Sequence, residues 1–492
     1  MSRIFPVAAV RKAEQDAVLA GIAEYTLMDR AGRQAADIIN YHFKAAVRFV
    51  VLCGGGNNGG DALVAAAYLC QRYQREAVIY CVKPLNSLTG CAAAAVANLP
   101  ENIKVINDIP APGDIQPGDV IIDGLLGIGF NGGELRAGVR QMIEIANAVH
   151  CPVVALDVPS GINSDTGEVS PDGAINADMT ITFGMLKAGL FSAAGSRLRG
   201  KLRMADIGLA NYVSDSGEIF VNTDAVSAVL HPEFDCHKNR RGRVLVWGGS
   251  DEYPGAPVLA ARAALHCGSG IVRLISNGEC RSLAPASVIV RKLLNGSNIH
   301  SEVTPLFGVS DVLVAGCGWG TDNPAEALDV VQDFPGTVVL DADALNMFSC
   351  NIGKWRCRDK VIITPHPGEA ARLASALGII ANGRSELCLK LAEKLHCTVL
   401  LKGRDSIVAD FSGRKMLIAA GDHKLATAGS GDVLAGIIGA MAASGNAEFE
   451  AAVLGAYIHG VAGETAPGIP VADQLPELAG KVLAALRANG LF

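Results

Sequence analysis

Short apolar runs alternate with helical stretches along most of the chain. RFVVLCG (48–54), EAVIYCV (76–82), DVIIDGLLG (119–127), PVVALDVPSG (152–161), DMTITFG (178–184) and KLRMADIG (201–208) read as strands, while residues 11–42 and ALVAAAYLCQRY (62–73) read as helices. Strands that lack polar alternation are buried on both faces, so helices between them predict a parallel sheet covered on both sides. The pattern lapses over residues 210–242 and then restarts. The second series is RVLVWGGS (243–250), helical APVLAARAALHCG (256–268), IVRLIS (271–276), DVLVAGCG (311–318), TVVLDADAL (337–345), KVIITPHPGE (360–369) and TVLLKG (398–403), with a last long helix from Asp432. We expect two α/β domains, residues 1–215 and 216–492. Their motifs differ, so they are not a duplication.

Composition supports this reading and narrows it. Half of the 492 residues are hydrophobic and 56 are glycine, as suits layered α/β folds with many tight strand–helix turns. The first domain reads as a Rossmann-like three-layer α/β/α fold. The net charge of −7 argues against a nucleic-acid partner. Thirteen cysteines at irregular spacing, without a CxxC pair, read as reduced thiols in a cytoplasmic protein. The N-terminus meets charge too early for a secretory signal, and no stretch approaches the ~20 apolar residues that span a bilayer, so no membrane partner is expected.

The first candidate site centres on GGGNNGGD (54–61), between a strand and a helix. It satisfies GxGxxG, but a redox dinucleotide site would also need an acid at the end of the next strand, which closes on Val82 and Lys83. Three strand ends carry polar groups that can converge where open α/β sheets bind ligands: Asn58, Asp123 and the pair Asp157 and Ser160. One amide oxygen, one carboxylate and one hydroxyl suit a weakly held monovalent cation better than zinc. The alternative is that both acids, Asp123 and Asp157, only order loops.

The second candidate is TAGSGDVLAGIIGAMAA (427–443). Gly429, Ser430 and Gly431 open a helix whose free N–H groups and dipole attract an anion. Asp432 beside them is either a base or a helix cap. Before it come RVLVWGGSDEYPGAPVLAARAAL, AGCGWG, LDADALN, ITPHPGEAARL and LKGRDSIV.

On these motifs, residues 1–212 resemble the NAD(P)H-hydrate epimerase family. Residues 230–490 resemble the ribokinase-like fold and, within it, ADP- or ATP-dependent NAD(P)H-hydrate dehydratases. The resemblance implies potassium on Asn58, Asp123 and Ser160. It implies hydrated NADH or NADPH against Asn57, Asn58, Gly59, Gly60 and Asp61, against Gly127, Ile128, Gly129, Phe130, Asn131, Gly132 and Gly133, and against Asp157, the better acid/base candidate. In the second half it implies hydrated cofactor at Ala256, Gly318, His366 and Asp432, with Asp432 as the catalytic base. ADP, or ATP in its place, would lie against Lys402, Gly403, Arg404, Asp405 and Ser406, and against Asp422, His423, Lys424, Leu425, Ala426, Thr427, Ala428, Gly429, Ser430 and Gly431. Magnesium would accompany the nucleotide. The expected reaction is epimerisation of the C6 hydrates followed by ADP-dependent dehydration of the S form, in a homo-oligomer.

The chain departs from the family's patterns at several points. Ala62 stands where glycine is usual. GPGLG appears as GCGWG with Cys317 and Trp319, Asn-Pro-Gly-Met as Asp422 to Leu425, and HKGD-G as His237 to Gly242. The competing readings are a ribokinase-like small-molecule kinase, an N-terminal binding module without catalysis, and a dehydrogenase.

Overall fold

The structure, a computed structural model, describes residues 2–213, 219–221, 241–293, 298–320, 326–354, 356, 358–421 and 423–488. The chain divides into two compact units, Ser2–Glu218 and Ile219–Phe492. The expected boundary at 215/216, Asp422, and residues 237–240 of the altered HKGD-G segment lie outside the described residues.

The first unit runs β1 (Ser2–Phe5), α1 (Val7–Leu19), α2 (Glu24–His42), β2 (Phe49–Cys53), α3 (Asn57–Tyr73), β3 (Ala77–Cys81), α4 (Gly90–Ala97), β4 (Lys104–Ile106), β5 (Val120–Gly124), α5 (Ala137–Ala148), β6 (Val153–Leu156), β7 (Met179–Phe183), β8 (Leu186–Lys187), α6 (Ala193–Leu198) and β9 (Lys201–Ala205). Seven strands form a parallel sheet in the order β4-β3-β2-β5-β6-β7-β9, and β1 pairs with β8 beside them. The expected strands β2, β3, β5, β6 and β7 are buried at every position. Helices α2, α3 and α4 pack with Val51, Ile79 and Ile122 on one face, and α5 packs with Val50, Val78 and Ile121 on the other. The single helix expected over 11–42 is two, α1 and α2. Gly21 at φ +100° makes the break, in a conformation that glycine adopts readily.

The second unit contains β10 (Ile219–Val221), β11 (Arg243–Trp247), α7 (Gly255–His266), β12 (Ile271–Ser276), β13 (Val288–Lys292), α8 (Ile299–Val303), β14 (Val312–Ala315), α9 (Glu326–Gln332), β15 (Thr337–Leu340), α10 (Asp343–Cys350), β16 (Val361–Ile363), α11 (Pro367–Leu377), α12 (Arg384–Leu395), β17 (Thr398–Leu401), β18 (Ser406–Ala409), β19 (Lys415–Ile418), α13 (Ser430–Ala443), α14 (Glu448–Thr465) and α15 (Leu475–Ala488). Its sheet order is β13-β12-β11-β14-β15-β16-β17-β18-β19-β10. Strands β11 to β17 are parallel, but β17, β18 and β19 run antiparallel, a hairpin that the apolar runs did not announce, and β10 pairs parallel to β19. Helix α13 is apolar nearly all round and is buried among α7, α14 and α15. Small residues permit that approach: a side chain at Gly436 would stand 2.1 Å from the Ala260 carbonyl, and one at Gly455 would stand 2.4 Å from Ile438.

Candidate functional sites

In the first unit the C-terminal ends of β2, β5 and β6 meet at one point. Asp123, at the end of β5, is fully buried. Its Oδ1 accepts from the Ser160 hydroxyl at 2.6 Å and from Leu125 N–H at 3.1 Å, and its Oδ2 accepts from Ser160 N–H at 2.9 Å. Asn58, in the first turn of α3, donates from Nδ2 to the carbonyls of Leu126 (2.7 Å) and Leu156 (3.1 Å). The Ser160 hydroxyl lies 3.2 Å from the same Leu126 carbonyl. The three expected ligands therefore gather about Leu126. The Asn58 Oδ1 is buried without a hydrogen-bond partner among the described residues, which is costly unless something fills the gap. Burial pushes Asp123 up to about 6 against the hydrogen bonds from Ser160 and Leu125. An orphaned amide oxygen beside a buried carboxylate and two carbonyls fits a cation with neutral oxygen ligands.

Beside this cluster opens a cavity of about 1240 Å³ lined by Asn57, Asn58, Asp61, Gly127 to Phe130 and Asp157. The 57–61 turn forms the start of α3. It fits closely because a side chain at Gly59 would strike the Gly54 carbonyl at 2.1 Å. The 127–133 loop turns through Phe130 N–H to Gly127 O and is held at Asn131, whose carbonyl accepts from Asn163. Its Gly132 and Gly133 sit at φ +97° and +91°. The methyl of Ala62 does not crowd the turn: it packs against Gly124, where a Cβ would come within 2.4 Å of it.

Asp157 follows β6 with φ +63°, a left-handed backbone that non-glycine residues rarely adopt. Its Oδ1 accepts from Lys187 Nζ at 2.5 Å. Lys187 is 1% exposed and also donates to Thr182 Oγ1 (3.1 Å) and to the Phe183 carbonyl (2.8 Å), so all three ammonium protons are engaged. Asp61 stands in the same cavity. Burial, then the charges of Asp157 and Glu14, push it well above the usual carboxylate range. Glu14 of α1 is raised by burial and by Asp157. A carboxylate locked to a lysine, with acids of raised pKa opposite, can exchange protons with a ring held between them. Sequence reasoning missed Lys187 and Glu14. A lysine ending an apolar run, as in TFGMLK, was the available signal for Lys187.

In the second unit Asp432 lies in the first turn of α13, and Gly429 caps that helix at φ +87°. The reactive atoms of Asp432, Asp341 and Cys317 all lie within 4.8 Å of one another. Lys402 Nζ, after β17, contacts Asp341 Oδ1 at 2.6 Å. A side chain at Gly431 would stand 3.4 Å from that ammonium and 3.5 Å from Asp341 Oδ2, so the two expected nucleotide segments converge at the helix start. Burial raises Asp432 to about 6 and the Asp341 charge adds to the rise, while the Cys317 thiol and Lys402 oppose it. A carboxyl poised near 6 is half-prepared as a base at neutral pH. Beneath the turn, the Ser430 hydroxyl lies 3.0 Å from Nε2 of buried His459, whose pKa burial lowers to about 4. The imidazole is therefore neutral there.

Gly318 and Ala256 meet as expected, since a side chain at Gly318 would stand 2.8 Å from the Ala256 methyl. His366 is the N-cap of α11: its Nδ1 accepts from Gly368 N–H at 2.9 Å, and Glu369 accepts from its own N–H at 2.7 Å. This is a capping box, so His366 has a structural task whatever else it touches. Gly403 and Arg404 are exposed, with Arg384 pressed against Gly403, while Asp405 is buried. Ser406 opens β18. The altered 423–425 segment forms a 3₁₀ turn on α14, with Lys424 Nζ on the Ala466 carbonyl and Leu425 packed against Gly463. From there Ala426 N–H returns to the His423 carbonyl, and Ser430 N–H reaches the Thr427 carbonyl through Ala428. Trp319 packs edge-on against Trp247, both buried, so the altered GCGWG loop is absorbed by the core. Sequence reasoning assigned no role to Asp341, Cys317 or His459.

Comparison with known proteins agrees with both halves. A family described as NAD(P)H-hydrate dehydratase matches residues 244–483, and one described as YjeF-related protein N-terminus matches residues 24–189. The bifunctional NAD(P)H-hydrate repair enzyme of Escherichia coli (strain K12) is 33% identical over 464 residues, covering 92% of this chain and 88% of that protein. The chain belongs to the bifunctional NAD(P)H-hydrate repair enzyme family. A second repair enzyme of that name, from Coxiella burnetii, is 34% identical over 488 residues, covering 95% of this chain and 97% of that protein. Among solved structures, the ADP/ATP-dependent NAD(P)H-hydrate dehydratase of Bacillus subtilis, co-crystallised with ATP and Mg2+, covers 54% of this chain and 98% of its own, at 25% identity and a TM-score of 0.45. No helix among the described residues of this repair-enzyme relative is long and apolar enough to cross a membrane.

Proposed function

We propose that the chain repairs hydrated NADH and NADPH in the cytoplasm. The N-terminal site interconverts the C6 epimers, and the C-terminal site uses ADP to return the S hydrate to NAD(P)H, releasing AMP and phosphate. The observation that carries the reading is Asp432, a half-buried carboxyl near pKa 6 at the mouth of a glycine-lined helix N-terminus, beside Lys402. Asp432 takes the proton of the ring hydroxyl while that oxygen attacks the terminal phosphoryl group, and AMP departs. Phosphate then leaves C6, with the ring nitrogen's electron pair assisting. Loss of a proton from C5 restores the ring double bond. Phosphate is a far better leaving group than hydroxide, which explains kinase-like machinery in an elimination. The N–H groups at Gly429 to Gly431 and Lys402 position and neutralise the phosphates.

Magnesium fits here only as the nucleotide's companion. The clustered donors are a thiol, a carboxylate tied to lysine and the base, not the hard-oxygen cage it favours. In the N-terminal site Asn58, Asp123 and Ser160, with the Leu126 and Leu156 carbonyls, would hold potassium, whose single charge would tie three loops together. Asp157, oriented by Lys187, then acts on the proton of the C6 hydroxyl.

The test is to incubate hydrated NADH and hydrated NADPH with the protein and ADP or ATP, following the returning nicotinamide absorbance together with free phosphate. A stable phosphorylated product without NAD(P)H would favour a small-molecule kinase instead.

A further inference from the structure

The seven-stranded sheet orders its strands β4-β3-β2-β5-β6-β7-β9. Chain direction reverses its sideways progress between β2 and β5, which is the crevice where open α/β sheets take dinucleotides. A dinucleotide across such a crevice lays its diphosphate on the glycine-rich turn after the first strand, here β2. One nucleoside half then lies over β5 and β6, and the other over the end of β3. Asp157 at the end of β6 marks the half that carries the hydrated ring. The adenosine ribose accordingly falls at the end of β3. Sites for an unmodified ribose place an acid there to accept from the 2′-hydroxyl, and a cation there suits a 2′-phosphate.

This chain carries Lys83 at that point, two residues past β3. The side chain is exposed and folds back over the glycine-rich turn. Its Cδ and Nζ lie 3.1 and 3.8 Å from where a Cβ of Gly55 would be. Its ammonium makes no hydrogen bond or ion pair among the described residues and lines the same cavity as Asp157. Arg136, the residue before α5, lines it too, and the first turn of α5 touches Val82, since a side chain at Gly138 would stand 2.9 Å from Val82 Cγ1. Glu24 and Glu134, acids that line the same cavity, are exposed.

We propose that Lys83, seconded by Arg136, reads the 2′-phosphate, so that the epimerase site prefers hydrated NADPH over hydrated NADH. The inference rests on the epimerase reading above and deepens it. A phosphate monoester brings about −1.5 to −2 charges that the NADH ribose lacks, and an unpaired lysine answers them with charge-assisted hydrogen bonds.

The experiment measures kcat/KM for epimerisation of both hydrates by the full chain, wild type against Lys83→Gln and Lys83→Glu. Lys83 is exposed and packs no core, so both variants fold. Lys83→Gln is expected to lower kcat/KM for hydrated NADPH about tenfold, through KM, and to leave that for hydrated NADH within about twofold. Lys83→Glu reverses the preference. A ratio unchanged by both variants, or an equal fall on both substrates, overturns the inference while leaving the epimerase reading intact. A wild-type chain that interconverts neither hydrate overturns both.

Discussion

Lys187 Nζ lies 2.5 Å from Asp157 Oδ1, the lysine is buried, and both residues border the cavity. A buried lysine whose three protons are all engaged has none left to offer a substrate. Its task is to hold Asp157 aimed. Lys187→Met should therefore abolish epimerisation and leave dehydration of the S hydrate. Breaking a buried pair by removing one partner costs about 3–5 kcal/mol, so the first unit should also melt earlier by calorimetry. Epimerisation at wild-type rate would mean that Asp157 is not the reacting acid.

Asp432→Asn should lower dehydration by about 10²–10⁴ and leave epimerisation unchanged. In the wild type, kcat should rise as pH increases through about 6, where Asp432 loses its proton. The stability effect has a definite sign. Asp432 holds its proton more tightly folded than unfolded, so its ionisation disfavours the fold. That cost is absent below about pH 4 and complete above about pH 6, and is worth about 2–3 kcal/mol. The variant should be more stable than wild type at pH 7.5 and equal to it near pH 4, as denaturant titrations at both pH values would reveal.

Potassium should stabilise the first unit by filling the gap at Asn58 Oδ1. A ligand at 100 times its Kd contributes about 2.7 kcal/mol. The melting temperature should accordingly rise in potassium chloride over choline chloride at equal ionic strength. Asp123→Ala should lose that increment together with epimerisation, while dehydration continues. An identical potassium response in the variant would place the ion elsewhere.

Gly124→Ala would set two methyl groups 2.4 Å apart, against Ala62, with the Asn58 carbonyl at 3.0 Å. Overpacking of this kind typically costs about 1–3 kcal/mol. Ala62→Gly in the same chain should recover part of the loss. A purely additive double mutant would show that the two positions do not share the space.

The architecture was legible because parallel strands buried on both faces leave continuous apolar runs, as in FVVLC and VIIDG. The antiparallel β18–β19 hairpin was not, since its strands are short and separated by a turn at Asp410 to Arg414. Residues marked by a glycine-rich turn or a strand end were visible in advance: Asn58, Asp123, Ser160, Gly429 and Asp432. Those acting through distant partners were not. Lys402 read as a nucleotide contact, and its pairing with Asp341 depends on two strands 61 positions apart in sequence. His459 is hidden in an apolar helix, where only its polarity on a buried face hints at the Ser430 hydroxyl it meets. Ala62 stood out only as a departure from the family's glycine, because the Gly124 that makes room for its methyl is contributed by β5.

All three tryptophans of the chain, Trp247, Trp319 and Trp355, belong to its second half. Two of them pack edge to face out of water with ring centres 5.1 Å apart, and Trp319 adjoins Gly318. The indole emission of the intact protein is thus a built-in optical reporter of one half alone. A ligand that settles beside Gly318 should change its colour or yield, whereas one entering the cavity around Asp157 meets no indole of its own unit and should go unseen.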